Sequence, residues 1–352
     1  MNSSGILSTF SLYLFLLGLA PVGFAQTINA TGIGSGQSAD TSPAPEMVIN
    51  EAAVTPEPDP GQTGLEATGE TPAVTEMETT TAGTPAVDPV DTECRRIGDK
   101  LASVSYEDCM QLGLMQTGGA SVKLAPILFK EYPPLASRNP LGKVLLLGGT
   151  HGDEYSSVSI IFKWMRTLDQ FHSGLFHWRI VPLVNPDGLL QERSTRPNAN
   201  GVDINRNFPI PDWDNTALAY WINKTGSNAR HYPGPQAVSE PETAWLVEEI
   251  EKFSPDVIVS VHAPHGVVDY DGPEDGPYKL GRLYLNLLGT YPGSLGNYAG
   301  IQKQIPVVTI ELPYAGIMPT PAEISDIWRD LVRWLTSNIP VAVTVVQDTD
   351  PS

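Results

Sequence analysis

The sequence predicts an α/β domain of three layers, α/β/α, around a mixed, mostly parallel central sheet, preceded by a leader and a linker without regular structure. Three observations lead there. Four short apolar runs, Val144 to Gly149, Trp178 to Val184, Asp256 to Val261 and Val307 to Leu312, have the length and β-branched content of buried strands. Amphipathic helical segments alternate with them, which implies a sheet covered on both faces. Polar residues gather where the runs end, and open α/β sheets place their ligands at the carboxyl ends of their strands.

Residues 1–25 read as a secretory signal peptide: Ile6 to Ala20 is an apolar run, and Pro21 and small residues lead to a cleavage position near Ala25. An uncleaved membrane anchor is the alternative, since no basic residue precedes the run. Processing at Ala25 implies a periplasmic or secreted protein with no stable membrane insertion afterwards. Residues 26–93 are rich in Thr, Pro, Ala, Gly and Glu and contain no Phe, Trp or Tyr. Such a segment cannot bury enough apolar surface to offset its ordering entropy, so it reads as a disordered acidic linker.

The 352 residues carry 40 Asp and Glu against 21 Lys and Arg, a formal charge of −19. Residues 1–93 hold 12 of the acids and no Lys or Arg, so the remainder carries only −7. A chain so poor in bases is unsuited to nucleic acid, whose binding draws on Lys and Arg. Residues 94–340 have the length of one large α/β domain, and residues 341–352 are left as a C-terminal tail. Cys94 and Cys109 fit one disulfide in an exported protein, worth about 3 kcal/mol for a loop of that size; two unpaired thiols are the alternative.

Two helices announce their starts. Ser239-Glu240-Pro241-Glu242 and Thr320-Pro321-Ala322-Glu323 both fit the capping box, the second with Pro at the first helical position. The helices they open run through Trp245, Leu246 and Ile250, and through Ile324, Ile327, Trp328, Leu331 and Leu335.

The chemistry-bearing stretches follow the strands in turn. Gly148-Gly149-Thr150-His151-Gly152-Asp153-Glu154 follows the first, Asn185-Pro186-Asp187-Gly188 the second and His262-Ala263-Pro264-His265 the third, while Glu311 lies inside the fourth. His151 and Glu154 in a tight turn can present a ring nitrogen and a carboxylate to one point, and His262 from a distant strand can complete a set of three that leaves a fourth position open for water. Alone, His-x-x-Glu is weak, because a solvated turn histidine beside a carboxylate is common. The run Arg196 to Pro209 is more specific: Asn205 and Arg206 supply an amide and a guanidinium fork suited to a terminal carboxylate. Arg196 can polarise a carbonyl and hold a developing oxyanion. An acid such as Glu311 in an apolar strand is expensive unless paired or functional.

His151-x-x-Glu154, the run Gly201 to Phe208, His262 and Glu311 resemble the zinc metallocarboxypeptidase family, from Lys143 to Asn338. Asn185 to Gly188, Arg196 to Asn200, Ser239 to Thr243, His262 to Gly266 and Pro292 to Gly296 resemble its bacterial branch of murein tripeptide amidases and peptidoglycan-trimming carboxypeptidases. The resemblance implies one Zn2+ per chain, with His151, Glu154 and His262 as ligands and Glu311 as general base. It makes Arg196 the carbonyl and oxyanion stabiliser and Asn205 with Arg206 the clamp on the substrate carboxylate. The digestive members close a tyrosine over the substrate; the candidates here are Tyr291 and Tyr298, and Tyr291 is carried as a substrate-binding residue.

The expected substrate is a peptidoglycan stem peptide or another peptide with a free C-terminal carboxylate, and the expected bond is the one between γ-D-glutamate and meso-diaminopimelate. The rivals are a broad carboxypeptidase acting on ordinary proteins, an N-acyl-amino-acid hydrolase and a catalytically silent wall-binding module. The side-chain amine of diaminopimelate calls for an acid such as Asp269 or Asp271, although Asp271-Gly272-Pro273 reads more simply as a turn.

Overall fold

A computed structural model of the chain describes residues 88–273 and 275–339. All of them fall within one of the two units into which the chain divides, Thr79–Ser352. The expected signal peptide, the linker as far as residue 87 and the tail 341–352 lie outside the described residues. Among the described residues no helix is long and apolar enough to cross a membrane.

The elements run α1 (Pro89–Lys100), α2 (Tyr106–Gln111), β1 (Met115–Ala120), β2 (Pro126–Tyr132), β3 (Gly142–Leu147), α3 (Tyr155–Phe171), β4 (Phe176–Val181), α4 (Pro186–Leu190), α5 (Ala219–Thr225), α6 (Pro241–Phe253), β5 (Val257–His262), β6 (Val267–Asp271), the short hairpin β7 (Lys279–Leu280) and β8 (Leu283–Tyr284), β9 (Val307–Glu311) and α7 (Pro321–Asn338). Seven strands form one sheet in the order β1-β2-β4-β3-β5-β9-β6. The four apolar runs are its parallel centre, β4-β3-β5-β9, and the strands flanking them are antiparallel. Val144 and Leu146 of β3 pack with Ile161 and Met165 of α3 and Leu331 and Leu335 of α7. Leu145 and Leu147, pointing the other way, pack with Leu246, Ile250 and Phe253 of α6. The sheet is thus the middle of three layers, as the alternation of strands and helices predicts.

Three expectations need correction. The ordered domain starts before residue 94: the Asp88 side chain accepts from Val90 N at 2.9 Å, Pro89 occupies the first turn and α1 is already under way. Its Glu93, counted with the linker, is buried and bonded to Arg96 at 2.7 Å. The box expected at Ser239 does not form, because α6 begins one residue later with Glu240 at the cap position and no side-chain cap bond. Ser239 instead donates to Glu240 and accepts from Asn207. The sheet holds β1, β2 and β6 beyond the four strands expected; β1 has two glycines and β6 two acids, so neither reads as an apolar run. The box at Thr320 does form, with Thr320 and Glu323 each accepting from the other's backbone N–H.

Cys94 and Cys109 are joined, tying α1 to α2. Replacing both by Ser is expected to lower stability by about 3 kcal/mol, from the loop-closure entropy of the unfolded chain. Urea unfolding of the oxidised wild type and the double variant measures this directly, and coincident curves would contradict it.

Candidate metal centre and substrate cavity

Because β3, β5 and β9 are parallel, their carboxyl ends share one edge of the sheet, and each delivers a functional group there. The chain leaves β3 through Gly148 and Gly149 and turns through His151 to Glu154, the residue that caps α3. His262 and Glu311 are the last residues of β5 and β9 and stand opposite one another in register. The turn after β3 lies against α4: a Cβ on Gly152 would sit 2.1 Å from the carbonyl carbon of Gly188. Asn185 locks this arrangement, accepting from Gly188 N at 2.8 Å and donating to the carbonyl of Arg196 at 3.2 Å.

The predicted triad comes together. His151 Nδ1 lies 2.8 Å from Glu154 Oε1 and 3.0 Å from His262 Nδ1, which is itself 3.0 Å from Glu154 Oε2. One ligand atom from each residue lies within 4.8 Å of the other two, and all three residues are buried. Two ring nitrogens facing each other across a carboxylate are poor hydrogen-bond partners but a good donor set for one cation. Two nitrogens and a carboxylate are also a donor set that suits catalytic zinc.

Asp203, inside the Arg196 to Pro209 run, joins the site without any signal in the sequence of its own. Its carboxylate is fully buried; Oδ1 meets His151 Nε2 at 3.1 Å, and Oδ2 accepts from Arg196 Nε at 2.8 Å. Burial alone would raise its pKa, but Arg196 and His151 hold it well below the usual carboxylate range. Glu154 behaves alike: desolvation is outweighed by His151 and His262, and the group is held low. Asp203 thus fixes which nitrogen His151 turns toward the triad and anchors Arg196, whose Nη1 reaches Glu154 Oε1 at 3.5 Å.

These groups open onto a cavity of about 430 Å³ lined also by Asn205, Arg206, Tyr291 and Glu311. The Oδ1 of Asn205 is committed to Leu295 N at 2.8 Å, while its amide nitrogen makes no hydrogen bond among the described residues. Arg206 forms no ion pair among the described residues; its guanidinium stacks 4.4 Å above the Tyr291 ring. Tyr291 is partly exposed at the cavity wall. Tyr298 is not there: it is buried, stacked on Phe208, and bonded to Glu251. Asp269 and Asp271 also line the cavity; Asp271 ends β6, its side chain accepts from the Thr290 hydroxyl, and the chain bends directly after it at Gly272 and Pro273.

Asp203→Asn is expected to weaken zinc binding about 10- to 100-fold, because the ring of His151 loses the carboxylate that orients it. Chelator competition on protein with an unchanged circular dichroism spectrum measures the effect; unaltered affinity would remove Asp203 from the metal centre.

Comparison with known proteins agrees with this geometry. The family model described as zinc carboxypeptidase matches residues 132–276. Murein peptide amidase A of Vibrio campbellii (strain ATCC BAA-1116) is 33% identical over 202 residues, which cover 55% of this chain and 77% of that protein. The protein of the same name from Escherichia coli (strain K12) is 32% identical over 223 residues, covering 61% of this chain and 88% of its own. In fold, the chain is similar to the crystal structure of carboxypeptidase A from Helicoverpa armigera, with a TM-score of 0.52 at 18% identity over 68% of this chain and 75% of that one. With the triad, Glu311 and the cavity in place, the chain belongs to the zinc carboxypeptidase family and is a zinc-dependent hydrolase.

Proposed function

We propose that this enzyme hydrolyses the bond between γ-D-glutamate and meso-diaminopimelate in peptidoglycan peptides, in the periplasm or after secretion. The observation that carries the reading is one cavity holding the buried triad, Glu311, and Arg206 with no ion-pair partner among the described residues. A partly buried guanidinium without a carboxylate of its own is suited to a carboxylate brought by the substrate. The murein peptide amidases that are 32% and 33% identical to this chain over the matched residues support the choice of peptide.

His151, Glu154 and His262 would hold the zinc ion, which supplies Lewis-acid polarisation of the scissile carbonyl and a water of lowered pKa. Arg206 and the free amide of Asn205 grip the terminal carboxylate and fix the register of the peptide. Glu311, at the end of β9, takes a proton from the attacking water as the water oxygen bonds to the carbonyl carbon. Arg196, held by Asp203, donates to the oxygen that gains charge. When the carbon–nitrogen bond breaks, Glu311 passes its proton to the departing amine, so one water is consumed and the carboxylate is restored.

Incubation of the zinc-loaded protein with L-Ala-γ-D-Glu-meso-diaminopimelate and with ordinary peptides, read by mass spectrometry, is expected to release diaminopimelate. Release only from ordinary peptides would replace this reading with a broad carboxypeptidase. Glu311→Gln is expected to lower kcat by roughly 10²- to 10⁴-fold with zinc still bound; full turnover in that variant would exclude Glu311 as the base.

A further inference from the structure

The cavity carries cationic side chains at more than one depth. Its inner wall is strand-borne and closed: Ser260 is 2% exposed and Glu311 is 8% exposed. Arg196 stands further out, with 12% of its side chain exposed, and the mouth holds another guanidinium, that of Arg230, which is 49% exposed.

Arg230 is held at the mouth from two sides. It lies in a single turn of 3-10 helix, Ala229–His231, capped by the Asn228 side chain, which accepts from Arg230 N at 3.0 Å. The residues after it ride on the loop that carries Asp203: His231 Nδ1 lies 3.5 Å from Asp203 Oδ2, and Tyr232 O accepts from Asp203 N at 2.8 Å. From the other side Arg230 Nη1 donates to Asp153 Oδ2 at 2.6 Å, and Asp153 directly precedes Glu154 in the turn that delivers the metal ligands. That contact occupies one of the five N–H donors of the guanidinium. The others make no hydrogen bond among the described residues. A solvated ion pair of this kind adds little stability, so it does not by itself account for a cation placed here. It does fix the orientation: with Nη1 on Asp153, the edge formed by Nε and Nη2 is left as a two-donor fork for an acceptor that enters the cavity.

A peptide cut at its last bond can lie in this cavity in only one direction. Arg206 and Asn205 hold the terminal carboxylate inside, so the retained acyl part leaves past the mouth. In an ordinary peptide the acyl residue has its α-carboxyl in the bond that is cut. In a γ-glutamyl peptide the side-chain carboxyl forms that bond, and the α-carboxylate stays free, separated from the scissile carbonyl by two methylenes and the α-carbon. The acyl side of such a bond therefore brings a negative charge of its own to the mouth.

We infer that Arg230 is a specificity-determining residue that receives this free α-carboxylate, so that the enzyme distinguishes a γ-linked acyl residue from an α-linked one by charge. This role rests on the reading that the bond cut follows a γ-linked glutamate, and deepens it. The triad and the clamp on the terminal carboxylate serve any C-terminal residue, whereas Arg230 reads what precedes the bond. A guanidinium fork grips a carboxylate with two charge-assisted bonds; an amide in its place offers a single neutral acceptor.

Calorimetry on zinc-loaded Glu311→Gln protein tests this with two peptides, L-Ala-γ-D-Glu-meso-diaminopimelate and the isostere in which the glutamyl α-carboxylate is an amide. The acid is expected to bind roughly 10-fold tighter, the lower end of the range for hydrogen bonds to charged groups, because the mouth is solvated. Adding Arg230→Gln is expected to bring the ratio close to one by weakening the acid and leaving the amide unchanged. A residue that merely braced the metal turn would weaken both peptides alike and leave the ratio intact. Equal binding before Arg230 is changed, no binding of either peptide, or a ratio that survives Arg230→Gln overturns the proposal. Release of diaminopimelate from the same peptides by the wild type, followed in parallel, separates the two readings. Tighter binding of the acid without release sinks the proposed reaction and keeps Arg230 in its role, and release with equal binding does the reverse.

Discussion

The site depends on one electrostatic constraint: two carboxylates, Glu154 and Asp203, are buried and ionised on the two ring nitrogens of one histidine, His151. Each would be neutralised by desolvation if left alone. They are held charged by a shared set of partners, because His151 bridges them and Arg196 reaches both. A buried ion cluster of this kind adds little net stability, but removing any one member strands the others. The arrangement is consequently stiff, and it fixes the ring of His151, the approach of Arg196 and the common point toward which the triad turns. A cation at that point completes the charge balance, and the family's zinc is such a cation.

The sheet converts this local cluster into a reactive surface. Parallel strands carry His262 and Glu311 to one edge in adjacent register positions, so their separation is set by strand spacing and not by loop conformation. The same register extends backward through Ser260, Thr309 and Asp269. Catalytic edge and cavity floor are then successive rows on one rigid face. Groups mounted on strands hold their mutual geometry more closely than groups mounted on loops, which is what a site that must place a water, a carbonyl and a leaving amine requires.

Much of this was legible in the sequence, and the boundary of legibility has physical causes. The central strands announce themselves because they are buried on both faces and read as continuous apolar runs. Strand β6 does not, because Asp269 and Asp271 occupy its cavity face and leave a pattern that resembles a turn. His151, Glu154, His262 and Glu311 could be paired because their chemistry is unusual for where they stand. Asp203 could not: an acid in a polar loop looks ordinary until the fold brings His151 and Arg196 to it. The start of the domain was hidden by composition, since the acidic character that marks the preceding segment continues through Asp91 and Glu93, where the chain is already helical.

That early helix bears on the site. The disulfide ties α1 to α2, and at the end of α1 the Lys100 ammonium donates to the carbonyls of Gln191 at 2.7 Å and Glu192 at 2.9 Å. Those carbonyls lie on the segment that leads to Arg196. From the other side Tyr155, the residue after Glu154, donates its hydroxyl to Ser194 at 2.9 Å, and Ser194 donates in turn to Leu189 O at 2.6 Å. The segment from Leu189 to Arg196 is thus pinned between a cross-linked helical pair and the helix that Glu154 caps. This clamp matters because Arg196 has to meet a charge that exists only transiently, and a donor that must reorganise at that moment contributes less than one already in place. Residues 89–100 thereby belong to the catalytic unit, although they lie more than thirty residues ahead of the family match at residue 132.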